Sequence, residues 1–531
     1  MPDPGRVEFQ PKGLKTNALG MVTSTAVGIA SAAPAYSLAA TLGFVVAVVG
    51  LQTPVLVILA FIPMLFSAWA TKQMNQADPD CGTSFTWAAR ALGPRTGWFA
   101  GGWGTIAADF LAMASYAQVA AQYVFLLVGA DSIGNNATSI WVLLVGILWI
   151  VGLTYLCYRG IEISARLQLI LVVIEVVMLL VMSIVALIKL GNGSAPAGHL
   201  TPSWSWFDRT QLTSFSTFMQ GILLMVFIYW GWDTTTSINE ETEEPGRIPG
   251  TAGVISTFLL LGTYLLVTIS VQGFAGVGTH GVGLGNPAHQ NDVLSALGGA
   301  IFGSTALGSI LSHLLIFMVL TSAAATTQTT ILPNARTTLS MAFHKALPAI
   351  FGRVHPRYLT PTFSTISFGV VSIVYYVALN FVSGGAVISD AVTATTFFAA
   401  PYLGITAVAC AWHYRPALSQ GLRTATSYVW VPALGAIFLF AVLAYSFKIY
   451  WDPGQSYFEV TIFGVTIGGT LIVVGLTVII GLVWMLACQR TQREFFSGAS
   501  MRSGLSITDD DQVVQVGGKP AVPIEPRPPS S

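Results

Sequence analysis

Asp109, Glu175 and Asp233 each sit inside an apolar stretch of the chain. A charge at the centre of a bilayer costs about 2.5–3.5 kcal/mol on insertion scales, so such residues face a protein interior and mark paths for solutes or protons. Glu175, in LILVVIEVVMLL, has no polar neighbour in sequence. A carboxyl there that takes a proton in one state and releases it in another couples proton flow to solute movement. The plain alternative is a permanently neutral Glu bonded to a neighbouring helix. Asp109, in GTIAADFLAMASYAQ, can meet an amine, carry a proton or bond a hydroxyl. Asp233 can link a cavity to the cytoplasm or cap a short helix, a frequent use of Asp. These three are the candidates for coupling and gating.

The residues that would hold a solute lie on interrupted elements. YWGWDTTTSINEETEEPGRIPG, Tyr229–Gly250, begins inside an apolar segment and leaves it through Gly231 and Asp233. The first apolar segment, TSTAVGIASAAPAYSLAATLG, contains Pro34, which removes a backbone donor. Beside it stand Ala30, Ser31, Ala32 and Ala33. Lipid offers no partner to a free backbone group, so an interrupted span must line a protein-enclosed cavity. Broken spans in corresponding positions of two repeated halves point to a transporter's binding site. Half-helix N-termini offer N–H groups to an anion, and carbonyl ends face a cation. A zwitterionic amino acid carries one of each charge. An amine or polyamine is the alternative solute, and a membrane sensor that binds without transporting is a further one.

The composition supplies the setting for these elements. Of 531 residues, 53% are hydrophobic and 9% charged, against roughly 25% charged in soluble domains. One helical span needs about 20 mostly apolar residues. Hydropathy predicts twelve, near 19–47, 53–74, 97–129, 139–158, 163–190, 211–238, 250–275, 304–333, 361–382, 386–412, 428–449 and 459–487. With the N-terminus inside, 20 of the 23 Lys and Arg fall on the cytoplasmic side. Both termini are therefore expected in the cytoplasm and the chain in the cell membrane. The expected organisation is a cytoplasmic segment 1–18, a membrane domain 19–490 and a disordered cytoplasmic tail 491–531. The acidic run Glu240–Glu244 reads as a solvated inner loop pairing with Arg336 or Arg353.

Four stretches in order carry a resemblance to the amino acid–polyamine–organocation superfamily of permeases. They are GIASAAPAYSLAATLG (Gly28–Gly43), DPDCGTSFTWAARALGPRTGW (Asp78–Trp98), the Gly-Trp-Asp and NEETEEP of the sixth span, and SAAATTQTTILPNARTTLSMAFHKALP (Ser322–Pro348) with HPRYLTP (His355–Pro361). The resemblance implies an all-α membrane fold: two inverted five-helix repeats, discontinuous first and sixth helices, and two extra helices. It implies secondary transport of amino acids or amines, often coupled to protons. Ala30, Ser31 and Ala32 occupy the family's Gly-Ser-Gly bend, whose N–H groups hold the substrate carboxylate; only the Ser is kept. Phe227, Ile228, Tyr229, Trp230 and Gly231 occupy the sixth-span break, where carbonyls hold the amine and an aromatic covers the substrate. Some proton-coupled members carry a buried Lys in the fifth span, where this chain has Glu175. In sodium-coupled relatives, hydroxyls like those of Thr321–Thr330 help hold an ion, though Ser and Thr also bond back onto their own helix.

Other signals fall away. GVGTHG, Gly276–Gly281, matches a dinucleotide pattern but follows a membrane span with no strand before it. Cys81, Cys157, Cys410 and Cys488 fit no metal spacing. The balanced charge implies no attraction to nucleic acid. No enzyme, cofactor or metal centre is expected. The partners are the lipid bilayer, a small solute and a coupling proton.

Overall fold

The computed structural model describes residues 12–212, 214–288, 292–382, 386–502, 505–507 and 513–515. The chain is overwhelmingly α-helical, because long apolar stretches in hydrocarbon must satisfy every backbone group within the segment. Among the described residues, eleven helical segments are long and apolar enough to cross a membrane. The first, Met21–Ala77, has 57 residues, well beyond the ~20 of a single crossing. It holds α1 (Met21–Ala32), α2 (Pro34–Val49) and α3 (Thr53–Ala77). Gly50, at φ +61°, opens a single 3-10 turn that separates α2 from α3.

The remaining long helices follow in order. They are α4 (Gly104–Leu127), α5 (Ile140–Arg159), α6 (Ile161–Gly191) and α7 (Phe215–Tyr229), the last continued by a single turn, α8 (Thr234–Ser237). Then come α9 (Ile248–Ala275), α10 (Ala306–Phe343), α11 (Thr362–Phe381), α12 (Ala386–His413), α13 (Val431–Tyr450) and α14 (Gly469–Thr491). Polarity runs opposite to that of a soluble bundle. Every residue of α10 from Met318 to Phe343 is buried, hydroxyl-rich stretch included, so neighbouring helices surround it. At the rim, α14 leaves Leu476, Ile479, Ile480, Val483 and Leu486 exposed, an apolar face suited to lipid.

Three expectations change. The predicted last span, 459–487, starts instead as a hairpin, β1 (Glu459–Ile462) paired antiparallel with β2 (Val465–Gly468). Its sequence alternates β-branched residues around Phe463 and Gly464, both at positive φ, which is hairpin chemistry. The predicted eighth span, 304–333, runs on to Phe343, because Pro333 is accommodated inside the helix and polar residues beyond it find partners in the protein. The tail expected to be disordered from 491 is ordered at its start. Phe495 is buried and stacks on Phe85, Lys345 pairs with Glu494, and residues 505–507 pair with 513–515. Residues 516–531, like residues 1–11 of the N-terminal segment, lie outside the described residues.

Candidate functional site

Both interruptions have local causes. Pro34 starts α2 and cannot continue α1, so Ala33 takes a left-handed conformation, φ +47° and ψ +62°, between the two half-helices. The break therefore lies at Ala33, with Ala30, Ser31 and Ala32 still in the last turn of α1. In the sixth span, α7 stops at Tyr229, Trp230 is extended, and Gly231 sits at φ +114°. The breaks face each other. Ser31 Oγ and Thr234 Oγ1 are hydrogen-bonded at 2.9 Å. A Cβ on Gly231 would lie 2.6 Å from the Ser31 carbonyl oxygen, so glycine is required there by both space and φ. Thr326 of α10 closes the contact with a 3.1 Å bond to the Ser31 carbonyl. Pro333 leaves the Thr329 carbonyl without its helical donor, and Thr234 Oγ1 lies 3.5 Å from it.

A small polar cavity opens where these elements meet. Ser31, Trp230, Gly231 and Thr234 line it together with Asp109, Asp233, Tyr402 and Tyr116, and among the described residues none that lines it is cationic. Asn334 Nδ2 donates to Asp109 Oδ2 at 2.7 Å. Trp230 Nε1 donates to Tyr402 Oη at 2.6 Å, and Tyr402 donates to Asp233 Oδ2 at 2.8 Å. Asp233 does not cap α8, the plain alternative, since its side chain makes no bond to that turn. Two carboxylates in one small cavity repel each other unless a proton or a cation joins them. The cavity has room for about a single water, so the site is contracted in this structure. Across Trp230 lies a second, apolar cavity walled by Met64, Val226, Phe227, Leu403 and Leu439.

Glu175 lies elsewhere. Its Oε1 accepts the Ala35 N–H at 2.6 Å and the Ser322 hydroxyl at 2.7 Å, so it caps the N-terminus of α2. Ser322 Oγ in turn accepts the Tyr36 N–H at 3.3 Å. Pro34 has no N–H, and that of Ser37 returns to the Ala33 carbonyl. The half-helix expected to offer free donors to an anion has used them all.

On the face that carries the N-terminus, the cavity is shut off by buried charge. Lys12 ion-pairs with Asp80 at 2.9 Å and with Glu240, and lies over the Phe343 ring. Asp80 also bonds His344 at 2.9 Å and Ser340 at 2.6 Å. Arg336 grips both oxygens of Glu241 at 2.7 and 2.9 Å, and the Glu241 carbonyl accepts the N–H groups of Ala18 and Leu19. The expected pairing of the acidic run with Arg336 is present, and only the solvated character of the loop is corrected. Glu240 and Glu241 are buried while Glu243 and Glu244 remain exposed, and Arg336, expected in a loop, lies within α10. Burial pushes the Lys12 ammonium down, but Asp80 and Glu240 outweigh it and hold it well above its ordinary 10.5. Burial raises Asp80, and Lys12 and His344 outweigh it, holding it well below its ordinary 3.8. The Lys12 contribution is complete below 10.5 and that of Asp80 above 3.8, so the pair is charged throughout neutral pH. Cys81 lies buried beneath Lys12. With Cys81 as the single cysteine, Lys12→Met is expected to speed its labelling by maleimide at least about tenfold, the effect of ~1.4 kcal/mol on an opening equilibrium. Unchanged labelling would show that the Lys12 ion pairs do not seal this face.

Of the expected solute-holding residues, Ser31, Trp230 and Gly231 line the polar cavity, and Phe227 lines the apolar one. Ala30, Ala32, Ala33, Ile228 and Tyr229 line neither cavity. Tyr229 instead bonds the Val57 carbonyl, and the Phe227 and Ile228 carbonyls already accept from Trp230 N–H and the Tyr264 hydroxyl. Asp109 and Asp233 come together; Glu175 does not join them. Sequence reasoning missed Tyr402, Tyr116, Thr234 and Asn334. Tyr402 follows Pro401 inside an apolar span, a signal that pairs a polar tip with a helix irregularity. Hydroxyls of the Thr321–Thr330 stretch largely bond back to their own helix, as those of Thr321, Thr327, Thr329 and Thr330 do.

Opposed breaks in two membrane helices, enclosing a polar cavity with one face sealed by buried ion pairs, define a membrane transporter. Residues 18–472 match the amino acid permease family, and the chain belongs to it. It is 23% identical over 444 residues to the low-affinity putrescine importer PlaP of Escherichia coli (strain K12), covering 82% of this chain and 88% of that protein. It is 27% identical over 234 residues to the branched-chain amino acid permease BcaP of Bacillus subtilis (strain 168), covering 42% and 43%. It is also 24% identical over 315 residues to an arginine/ornithine antiporter of Latilactobacillus sakei, covering 57% and 60%.

Proposed function

We propose that this permease is a secondary transporter that moves a small solute bearing an ammonium group, an amino acid or an amine, across the cell membrane by alternating access. The observation that carries this reading is the cavity between the two breaks, which holds Asp109 and Asp233 and, among the described residues, no cationic side chain. The solute sits against Ser31, Trp230 and Gly231, with its ammonium toward the two carboxylates. The twelve spans include two inverted five-helix repeats, both termini are cytoplasmic, and the Lys12–Asp80–Glu240 and Arg336–Glu241 pairs form the inner gate. A proton is the coupling ion, carried by Asp109, Asp233 or Glu175. The relatives named for putrescine, branched-chain amino acids and arginine/ornithine support an ammonium-bearing solute.

The test is uptake of arginine, leucine and putrescine into proteoliposomes under an inwardly directed proton gradient. At least one is expected to accumulate, and a protonophore to abolish the accumulation. Asp233→Asn keeps the acceptor for Tyr402 and removes the charge. It is expected to lower uptake about a hundredfold, the scale of one mis-set group in a binding site. Accumulation insensitive to the protonophore would remove the proton from the mechanism. Uptake undiminished in Asp233→Asn would remove the carboxylate.

A further inference from the structure

The donor count at the start of α2 bears on which ammonium compound the site accepts, and the argument rests on the transport reading above. A half-helix that binds a substrate carboxylate must leave N–H groups free for it. Here none is free in the first turn. The Ala35 N–H goes to Glu175 Oε1, the Tyr36 N–H to Ser322 Oγ, and the Ser322 hydroxyl returns to Glu175 Oε1. The circuit is closed by a side chain that is fully buried. An incoming carboxylate would have to displace it and leave Glu175 buried without a partner, the costliest kind of orphan. Its Oε2 already lacks a hydrogen-bond partner among the described residues, so it has no second anchorage to fall back on.

The polar cavity is built for the opposite charge. It contains Asp109 and Asp233, and a carboxylate-bearing solute would bring a third carboxyl group beside them. Like charges at such a site are unfavourable, while a cation relieves the pair. Beyond Trp230, the mostly apolar cavity of Val226, Phe227, Leu403 and Leu439 suits a hydrocarbon portion, and no cationic side chain lines it among the described residues.

We propose that the solute is an aliphatic amine without a carboxylate, Glu175 supplying from within the chain the carboxylate that an amino acid would otherwise bring to α2. Glu175 acts here as a positioning residue that selects against α-amino acids.

The test uses amino acids and their decarboxylated counterparts as matched probes, ornithine with putrescine and leucine with isoamylamine. Thermal-shift titration of the detergent-purified protein reads binding, and proteoliposome uptake reads transport. In each pair the amine is expected to bind at least about tenfold tighter, which is ~1.4 kcal/mol. Glu175→Ala frees the Ala35 N–H and is expected to shrink that preference about tenfold. Glu175→Gln keeps an oxygen at the same place and is expected to preserve it, which separates selection from a general loss of fold. Amino acids bound as tightly as their amines, or amines that give no shift, would overturn the inference. A preference unchanged in Glu175→Ala would overturn the role of Glu175. Preferential binding of amines without accumulation would support the inference and sink the transport reading, so the two failures are distinct.

Discussion

Gly231→Leu is expected to lower uptake at least about a hundredfold while the protein still inserts and elutes as a single species, because a shift of about 1 Å at a binding site can cost that much. Gly231 lies at φ +114°, a conformation that side chains rarely adopt. Its missing Cβ would fall 2.6 Å from the Ser31 carbonyl oxygen and 2.7 Å from the Ser31 carbonyl carbon. Those atoms belong to the last turn before the first break, so they have no flexible tip that could yield. Any side chain at 231 drives the two interruptions apart. It also strains the 2.9 Å bond between Ser31 and Thr234 and moves Trp230, which separates the polar and apolar cavities. Gly231→Ala is the sharper version, since it adds a single carbon. Ser31→Pro attacks the same contact from the other side by removing the hydroxyl and a helical donor. Proteoliposome uptake, normalised to inserted protein, decides. Activity retained in Gly231→Leu would mean that the breaks do not need their close approach.

Arg336→Met alone is expected to destabilise the protein by about 3–5 kcal/mol, the usual cost of leaving one member of a buried ion pair uncompensated. Arg336 is 1% exposed and Glu241 fully buried, and two short bonds join the guanidinium to the carboxylate. Glu241 also ties the segment before α1 to the turn that follows α8 through its carbonyl, so the loss should spread to the N-terminal segment that carries Lys12. The double variant Arg336→Met with Glu241→Leu removes both charges and is expected to recover most of the stability, since paired apolar replacements of buried ion pairs are often neutral. Thermal unfolding in detergent of the two single variants and the double variant forms the cycle. A single variant as stable as the unmodified protein would show that this pair does not stabilise the fold. Loss of the pair without loss of stability, but with faster labelling of Cys81, would assign it to gating alone.

Much of this is legible in the sequence. Pro34 within the first apolar stretch and Gly231 beside Asp233 in the sixth announce breaks, because lipid penalises a free backbone group wherever it occurs. Ser31 and Trp230 come forward through the resemblance to the permease superfamily, and both line the polar cavity. Arg336 falls outside the eighth span as hydropathy draws it, because hydropathy ends a span at the first polar cluster after Pro333, whereas the helix continues wherever protein rather than lipid surrounds it. The hairpin before α14 was lost in the same way, since β-branched apolar residues satisfy a hydropathy window whether they are helical or extended.

What the sequence determined by itself was the membrane class of the protein, the positions of the two interruptions and the presence of three carboxylates away from lipid. Each follows from local composition acting against a uniform solvent. Only the tertiary structure decided how those carboxylates divide. Asp109 meets Asp233 across 124 positions of sequence through α4 and the break after α7, while Glu175 is drawn 140 positions away to the first turn of α2. Burial demands that every carboxyl find a donor, but which donor lies within reach is a property of how the helices pack.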